Sequence, residues 1–229
     1  MKKILSQLSS FTGLLAAALL LCAGPAPAAA AGKVNVLVIV GGHDFETNQF
    51  HKMFQDNANI TYEMVEHPKA YARLRPEAVK AYQVIVLYDM WQGITGEAKA
   101  DFVSALQSGI GLVSLHHSIA NYQQWPEYEK IIGGRYYLEK TMVNGVEKAR
   151  STWQHDVMIK VQVADGQHPI TRGVKDFTIH DEAYGKYDMG ADSHALLTTE
   201  NPLCAKYVAW AKTYGPARVA YIQLGHDHY

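Results

Sequence analysis

The first half of the chain alternates short apolar runs with segments whose apolar residues recur at helical spacing. The runs that have the length of strands are 34–40, 60–66, 84–88 and 110–115. The segments 46–57 and 95–108 follow the helical period, and Thr95 and Gly109 are typical residues for the two ends of the second helix. This regular alternation predicts an α/β fold, a mostly parallel sheet with helices on both faces.

The second half of the chain contains apolar runs without helices between them. These runs are 157–163, 177–184, 195–199, 207–211 and 219–224. Residues 133–150 follow neither period, so we expect an irregular insertion over the edge of the sheet. Because the chain stops directly after its last strand, we expect either another segment to cover that edge or a covering helix to be missing.

Residues 1–31 have the features of a secretory signal peptide. Lys2 and Lys3 precede an apolar stretch without acidic or basic residues, and small residues occupy 28–31. A membrane anchor is the alternative, but the apolar centre is shorter than the ~20 residues that a spanning helix needs. We therefore expect cleavage after Ala31, a mature domain of residues 32–229 that lacks a membrane segment, and a periplasmic or secreted protein.

Composition and charge argue against a nucleic-acid partner, a disulfide and a catalytic cysteine. The formal net charge is −1 and the Lys and Arg residues form no cluster, so no nucleic-acid partner is expected. Cys204 is the only cysteine after residue 31, which excludes an intramolecular disulfide in the mature domain. It lies beside Leu203 and Ala205, and we expect it to pack as a small apolar residue rather than act as a nucleophile.

Histidines are concentrated where strands end. His116 and His117 directly follow the apolar run 110–115, and His226 follows the last run of the chain. Polar and aromatic residues also follow the first and third runs, namely His43, Asp44, Asp89 and Trp91. Because the carboxyl ends of parallel strands meet at one edge of a sheet, we expect these residues to line one crevice.

Two further groups are candidates for a site. The segment His180-Asp-Glu182, with Tyr184 two positions on, brings an imidazole and two carboxylates together. These side chains suit acid–base chemistry or metal ligation, although a solvated charged turn is the alternative. Trp125 and Arg135 lie in an aromatic-rich segment and are candidates for contact with a hydroxylated ligand; core packing and a surface ion pair are the alternatives.

The bend after residue 115 lacks the signature of a nucleophilic hydrolase. A nucleophile elbow needs a Ser or Cys between glycines at this position, where the chain has His116 and His117. Ser118 follows without flanking glycines. Hydrolysis through an acyl-enzyme is therefore disfavoured.

Several segments, in the same order along the chain, resemble the trehalose utilisation (ThuA-like) family. They are 109–128 with its Leu-His-His and Trp-Pro pieces, Gly133-Gly-Arg-Tyr136, 166–173, 176–184 and 221–227. The resemblance covers essentially the whole mature domain. It implies a flavodoxin-like fold similar to that of class I glutamine amidotransferases, without the amidotransferase cysteine, and a role in the catabolism of disaccharides and their keto derivatives. The family usually continues past the Gly-His-Asp segment into a Trp-bearing C-terminal helix, so we expect that helix to be missing from this chain.

The leading hypothesis is an exported enzyme that modifies a sugar by proton transfer or with a divalent metal. The candidate catalytic residues are His117, His116, Glu182 and His226, with His117 the stronger of the two adjacent histidines. The candidate substrate-binding residues are His43, Asp44, Asp89, Trp91, Trp125, Arg135 and Tyr184. We expect a divalent metal such as zinc to be held by His117, His180 and His226. Adjacent residues of a strand point to opposite faces, so His116 and His117 do not both reach one ion unless the chain bends between them.

Two other hypotheses remain open. A non-catalytic carbohydrate-binding or accessory protein would use its aromatic residues to stack on sugar rings and its histidines only as hydrogen-bond partners. An amidotransferase-like scaffold that serves only as an interaction partner would leave the titratable groups at the strand ends unused. The expected partner is a small-molecule carbohydrate, and a homo-oligomer is left open.

Overall fold

A computed structural model describes Ala18 and residues 32–227 of the chain. The helices are α1 (Thr47–Gln55), α2 (Tyr71–Leu74), α3 (Pro76–Val79), α4 (Gly96–Gln107) and α5 (Pro126–Ile132), and a 3₁₀ turn spans His116–Ala120. The strands are β1 (Val34–Gly41), β2 (Ile60–Glu66), β3 (Val84–Asp89), β4 (Gly111–Leu115), β5 (Gly134–Arg135), β6 (Thr141–Val143), β7 (Val146–Lys148), β8 (Thr152–Val163), β9 (Phe177–Gly185), β10 (Asp188–Met189), β11 (His194–Thr199), β12 (Tyr207–Tyr214) and β13 (Ala217–Ile222).

The signal-peptide prediction falls on residues that lie outside this description, apart from Ala18, and stays a prediction. In the part of the chain that the structure describes, no helix is long and apolar enough to cross a membrane.

The described residues are built around one large mixed sheet. Its strand order is β2-β1-β3-β4-β13-β12-β11-β8-β9. The strands from β2 to β13 in this order pair in parallel, and those from β13 to β9 pair antiparallel. The prediction of an α/β sheet is confirmed, but its parallel part ends at β13, because the later strands follow one another without the helical crossovers that parallel pairing needs.

The last strand of the chain lies inside the sheet and not at its edge. β13 pairs in parallel with β4 and antiparallel with β12. Of the two alternatives for this strand, cover by another segment describes the structure, because β12 lies along it, and the missing helix stays a prediction. Sequence order does not show that the chain returns to insert its last strand beside β4.

The parallel strands are buried on both faces. Val38, Val86 and Val113 belong to the core on one side, and Leu37, Ile85 and Leu112 to the core on the other side. Strands with two buried faces have sequences of continuous apolar residues, and these strands show that pattern.

Helices close both cores, as predicted. Phe54 of α1 packs into the first core, and Phe102 of α4 packs into the second. The N-terminus of α4 is capped as expected, because the Thr95 Oγ1 accepts a hydrogen bond from the Ala98 N–H at 3.1 Å.

The segment 133–150 is more regular than predicted. β5 pairs with β10, and β6 and β7 form a hairpin whose turn is Asn144-Gly145. Strands of two or three residues are too short to show a period of two, so the sequence pattern did not reveal them.

A close approach between two strand ends depends on Gly42. Its φ is +77°, and a Cβ there would lie 2.3 Å from the Met90 carbonyl oxygen. We expect Gly42→Ala to lower the free energy of unfolding by about 3 kcal/mol, of which left-handed backbone accounts for roughly 1 kcal/mol. The control is Gly145→Ala, because Gly145 has a φ of +79° and no atom within 4 Å of the added Cβ. Urea denaturation of both variants measures the difference, and equal losses would show that the contact with Met90 has no effect.

Candidate functional site

His116 lies at a sharp bend between β4 and the 3₁₀ turn. Its φ is +46°, a left-handed conformation that non-glycine residues rarely adopt. The Tyr221 hydroxyl donates a hydrogen bond to the His116 carbonyl oxygen at 3.0 Å and fixes the bend from β13. Backbone strain of this kind persists only where the surroundings enforce it, and it is common at functional sites.

The two ring nitrogens of His116 have different roles. The Nδ1 lies 2.5 Å from the Gln223 carbonyl oxygen, which only accepts hydrogen bonds, so Nδ1 carries a proton. The Tyr184 ring stacks on the imidazole with centroids 4.5 Å apart. The Nε2 points toward Glu182 and His226, so it donates to the Glu182 carboxylate when the ring is protonated and offers a lone pair when the ring is neutral.

Three ligand atoms converge at this point. The His116 Nε2 lies 2.9 Å from the Glu182 Oε2 and 3.2 Å from the His226 Nδ1, and the last two atoms are 3.2 Å apart. Imidazole lone pairs and a carboxylate oxygen at these separations need a proton or a cation between them. These three residues are called the HEH cluster below.

The HEH cluster also fits a metal ion. Zinc bonded to nitrogen and oxygen at 2.0–2.1 Å holds tetrahedral ligand atoms about 3.3 Å apart, close to the separations found here. Two imidazoles and one carboxylate match catalytic zinc sites, and they also match iron(II) sites. A backbone carbonyl that accepts from the far nitrogen of a ligating histidine is a common supporting contact, and the Gln223 carbonyl supplies it.

Asp181 holds the segment that carries His226. Its carboxylate accepts hydrogen bonds from the Gly225 N–H at 2.7 Å, the His226 N–H at 3.0 Å and the Glu182 N–H at 2.8 Å. Burial raises the pKa of this carboxyl group, while the nearby His116 and the backbone donors oppose that effect. Asp181 thus positions His226, a role that sequence reasoning did not assign to it.

The charges of the cluster are set by burial and by mutual contacts. Burial works to raise the pKa of Glu182, but the hydrogen bond from His116 and the neighbouring imidazoles hold it below its ordinary value. Burial, together with His116, lowers the pKa of His226. At neutral pH Glu182 is therefore ionised and His226 is neutral, which are the forms that bind a metal.

His117 lies beside the HEH cluster and not in it. Its ring stacks on His43 at 4.6 Å and packs against Tyr88 at 4.4 Å, and its centroid is 5.4 Å from that of His116. Both ring nitrogens are buried and make no hydrogen bond to any residue that the structure describes. Burial lowers the pKa of His117 well below its ordinary value, so the imidazole is neutral.

His155 borders the cluster from β8 and was missed by the sequence analysis. Its Nδ1 is 3.5 Å from the Glu182 Oε1, and its ring centroid is 4.8 Å from that of His226. The side chain is 48% exposed, whereas that of Glu182 is 5% exposed. No local motif marks His155, because it follows no strand end and its proximity depends on the pairing of β8 with β9.

Residues 35–229 match the family described as ThuA, trehalose utilisation. The chain belongs to this family. The carbohydrate-related role that the motifs implied is thereby supported at the level of the family. No curated protein sequence matches the chain significantly.

Solved structures show the same fold. A ThuA-like protein from Parabacteroides merdae ATCC 43184 is 17% identical, with a TM-score of 0.68 and coverage of 85% of this chain and 80% of that one. A ThuA-like protein from Bacteroides uniformis ATCC 8492 is 20% identical, with a TM-score of 0.65 and coverage of 89% and 86%. A β-galactosidase from Bacillus circulans is 12% identical, with a TM-score of 0.54 over 83% of this chain and 29% of that one. The predicted ThuA-like α/β fold is confirmed.

The metal ligands inferred from the sequence of this ThuA-family chain differ from the residues that converge. His226 is common to both sets, while His116 and Glu182 take the places assigned to His117 and His180. The bend at His116 turns its ring toward β13 and β9. The His180 ring lies 3.7 Å from the Asp156 carboxylate.

Asp89 and Trp91 do not line the same crevice as the cluster. The Asp89 carboxylate is fully buried and binds the His67 Nε2 at 2.8 Å and the Asn121 side-chain amide at 2.7 Å. Trp91 stacks on the His67 ring with centroids 5.1 Å apart. Asp89 thus ties the ends of β2 and β3 to the 3₁₀ turn, which leaves its carboxylate without access to a substrate.

Trp125 and Arg135 line a separate small cavity together with Asn121 and Tyr128. The Arg135 guanidinium donates to the Gln123 carbonyl oxygen at 3.1 Å and lies 3.4 Å from a Glu129 carboxylate oxygen. These contacts hold the turn before α5. The alternative of packing and an ion pair therefore describes Arg135 in this structure.

The remaining predicted residues lie around the cluster. His43 and Asp44 are exposed at the end of β1, and the His43 ring is 5.8 Å from that of His226. Tyr184 is buried and orients His116 through ring stacking. Cys204 is half-buried, and burial raises the pKa of its thiol to about 11, which agrees with a packing role.

We expect Asp181→Asn to lower the free energy of unfolding by about 2 kcal/mol, because an amide nitrogen would face buried N–H donors. Asp176→Asn is the control, since the Asp176 carboxylate also accepts from a backbone N–H, that of Val163 at 2.8 Å, but at an exposed position. It should cost less than about 1 kcal/mol. Urea denaturation compares the two, and an Asp181→Asn loss no larger than the control would remove the positioning role.

Proposed function

We propose that the protein is an exported, metal-dependent enzyme that modifies a disaccharide such as trehalose or its keto derivative. The observation that carries the proposal is the convergence of the ligand atoms of His116, Glu182 and His226 on one point beside solvent. Membership of the trehalose utilisation family supports a carbohydrate as the substrate class. The predicted leader 1–31 supports a periplasmic or secreted location, which N-terminal sequencing of protein recovered from those fractions tests.

The protein groups supply orientation and proton transfer. The HEH cluster would hold a divalent ion, and such an ion polarises a carbonyl or hydroxyl oxygen and lowers the pKa of bound water. His117 is kept neutral by burial, so its imidazole can accept a proton from a sugar hydroxyl. For this step His43, which stacks on His117, moves aside or contacts the same sugar. The Tyr184 stack and the Gln223 carbonyl keep the His116 ring in place throughout.

Histidine occupies the bend after β4, where a nucleophile elbow would place a Ser or Cys. The Ser118 hydroxyl is buried and bonded to the Leu115 carbonyl oxygen and the Ser114 hydroxyl, both at 2.7 Å. It therefore has no adjacent base in hydrogen-bond contact among the residues of the structure. This arrangement favours proton or metal chemistry over acyl transfer.

The ligand set is tested with two histidine variants of untagged protein. We expect His226→Gln to weaken zinc binding at least tenfold, because one of three ligands is lost, and His180→Gln to bind zinc as the unaltered protein does. Isothermal titration with zinc and elemental analysis of purified protein measure this. If both variants bind alike, or if the unaltered protein takes up no ion, the metal proposal is wrong.

The reaction is tested by product analysis. Trehalose and 3-keto-trehalose are incubated with zinc-loaded, iron(II)-loaded and chelator-treated protein, and the expected result is metal-dependent conversion of at least one sugar. His117→Gln should lose turnover more than affinity. Binding without conversion under any of these conditions would favour the carbohydrate-binding hypothesis instead.

A further inference from the structure

We propose that Trp153 and His155 form a sugar-binding subsite at the entrance to the HEH cluster. Trp153 presents its ring face to a pyranose, and His155 forms a hydrogen bond with a hydroxyl of the same sugar. The identity of the ligand as a sugar rests on the proposed function. The placement of the two residues rests on the structure alone.

An irregularity in β8 brings His155 to the cluster. Gln154 pairs with Ala183 and Val157 pairs with Asp181, so both His155 and Asp156 lie opposite the single residue Glu182. Asp156 has a φ of +59°, as expected for a bulge that absorbs an extra residue. Bulges redirect side chains and are common beside active sites. Here the bulge directs the His155 ring to within 3.5 Å of Glu182.

Trp153 continues this row of rings toward solvent. Its ring centroid is 5.0 Å from that of His155, which in turn is 4.8 Å from that of His226. The Trp153 residue is 55% exposed, and among the histidines the exposed fraction of the side chain is 48% for His155 and 16% for His226. The three rings therefore lead from the surface to the candidate metal ligands.

Four other aromatic residues are less accessible than Trp153. Tyr184, Tyr136 and Tyr88 are buried, and each packs against another ring. Trp91 has one face covered by His67. The large amphipathic ring of Trp153, next to polar groups that converge, has the composition of a small-molecule subsite.

The His155 imidazole is suited to form a hydrogen bond with a hydroxyl group. Its Nδ1 faces the Glu182 Oε1, so this carboxylate favours a proton on Nδ1 and leaves Nε2 to accept. A ligand that stacks on Trp153 comes within reach of the imidazole, which lies between that ring and the cluster. His155 would then orient a sugar carbon toward the HEH cluster.

The subsite is tested by binding, so that its outcome does not depend on turnover. Trehalose and 3-keto-trehalose are titrated by calorimetry into the full mature chain, with and without zinc. We expect Trp153→Ala to weaken affinity about tenfold, Trp153→Phe to retain most of it, and His155→Ala to weaken it more than His155→Gln. Met142→Ala is the control, because Met142 is 62% exposed on the hairpin strand β6 and should have no effect. Circular dichroism confirms that each variant is folded.

The outcomes separate this inference from the proposed function. If the unaltered protein binds a sugar with Trp153-dependent affinity but converts none, the subsite stands and the enzyme proposal fails. If it converts sugar while Trp153→Ala and His155→Ala bind as before, the subsite is wrong and the enzyme proposal stands. Absence of sugar binding by the unaltered protein, or an equal loss in Met142→Ala, would also overturn the subsite.

Discussion

Asp181 and Glu182 are adjacent on β9, and together they attach two distant parts of the chain, the bend at His116 and the segment after β13, to one point. The Asp181 carboxylate holds the backbone of Gly225 and His226, while the Glu182 carboxylate contacts the rings of His116 and His226. Two buried carboxylates are costly unless polar groups compensate them, and both are compensated here. The geometry of the site depends on this pair.

The pair has this effect because of the position of β13 in the sheet. β13 lies beside β4, so the residues that follow it meet the bend at His116 although 107 positions separate Gln223 from that residue. The sheet is mixed, so β8 and β9 can form an antiparallel pair whose side chains lie at the same edge as the bend at His116. The parallel half of the fold provides the strand end that carries His116, and the antiparallel half provides the carboxylates.

Burial decides the chemistry of the neighbouring imidazoles. It lowers the pKa of His117 and of His226, so both rings are neutral at neutral pH and keep lone pairs for a ligand or a proton. The three ligand atoms of the cluster lie close enough together to hold either a proton or a cation. The family assignment indicates a carbohydrate context for either form.

The sequence by itself determined the strands and helices of the first half, the two buried faces of the parallel strands, the family, and the placement of His116, His117 and His226 at strand ends. These features follow from local periods and local motifs, which short stretches of chain display. Only the tertiary structure decided that His116 and not His117 faces Glu182, that Asp89 pairs with His67 away from the cluster, and that a bulge brings His155 to the entrance. Each of these depends on the register between strands far apart in sequence, because a strand's neighbours determine which way its side chains face and what they meet.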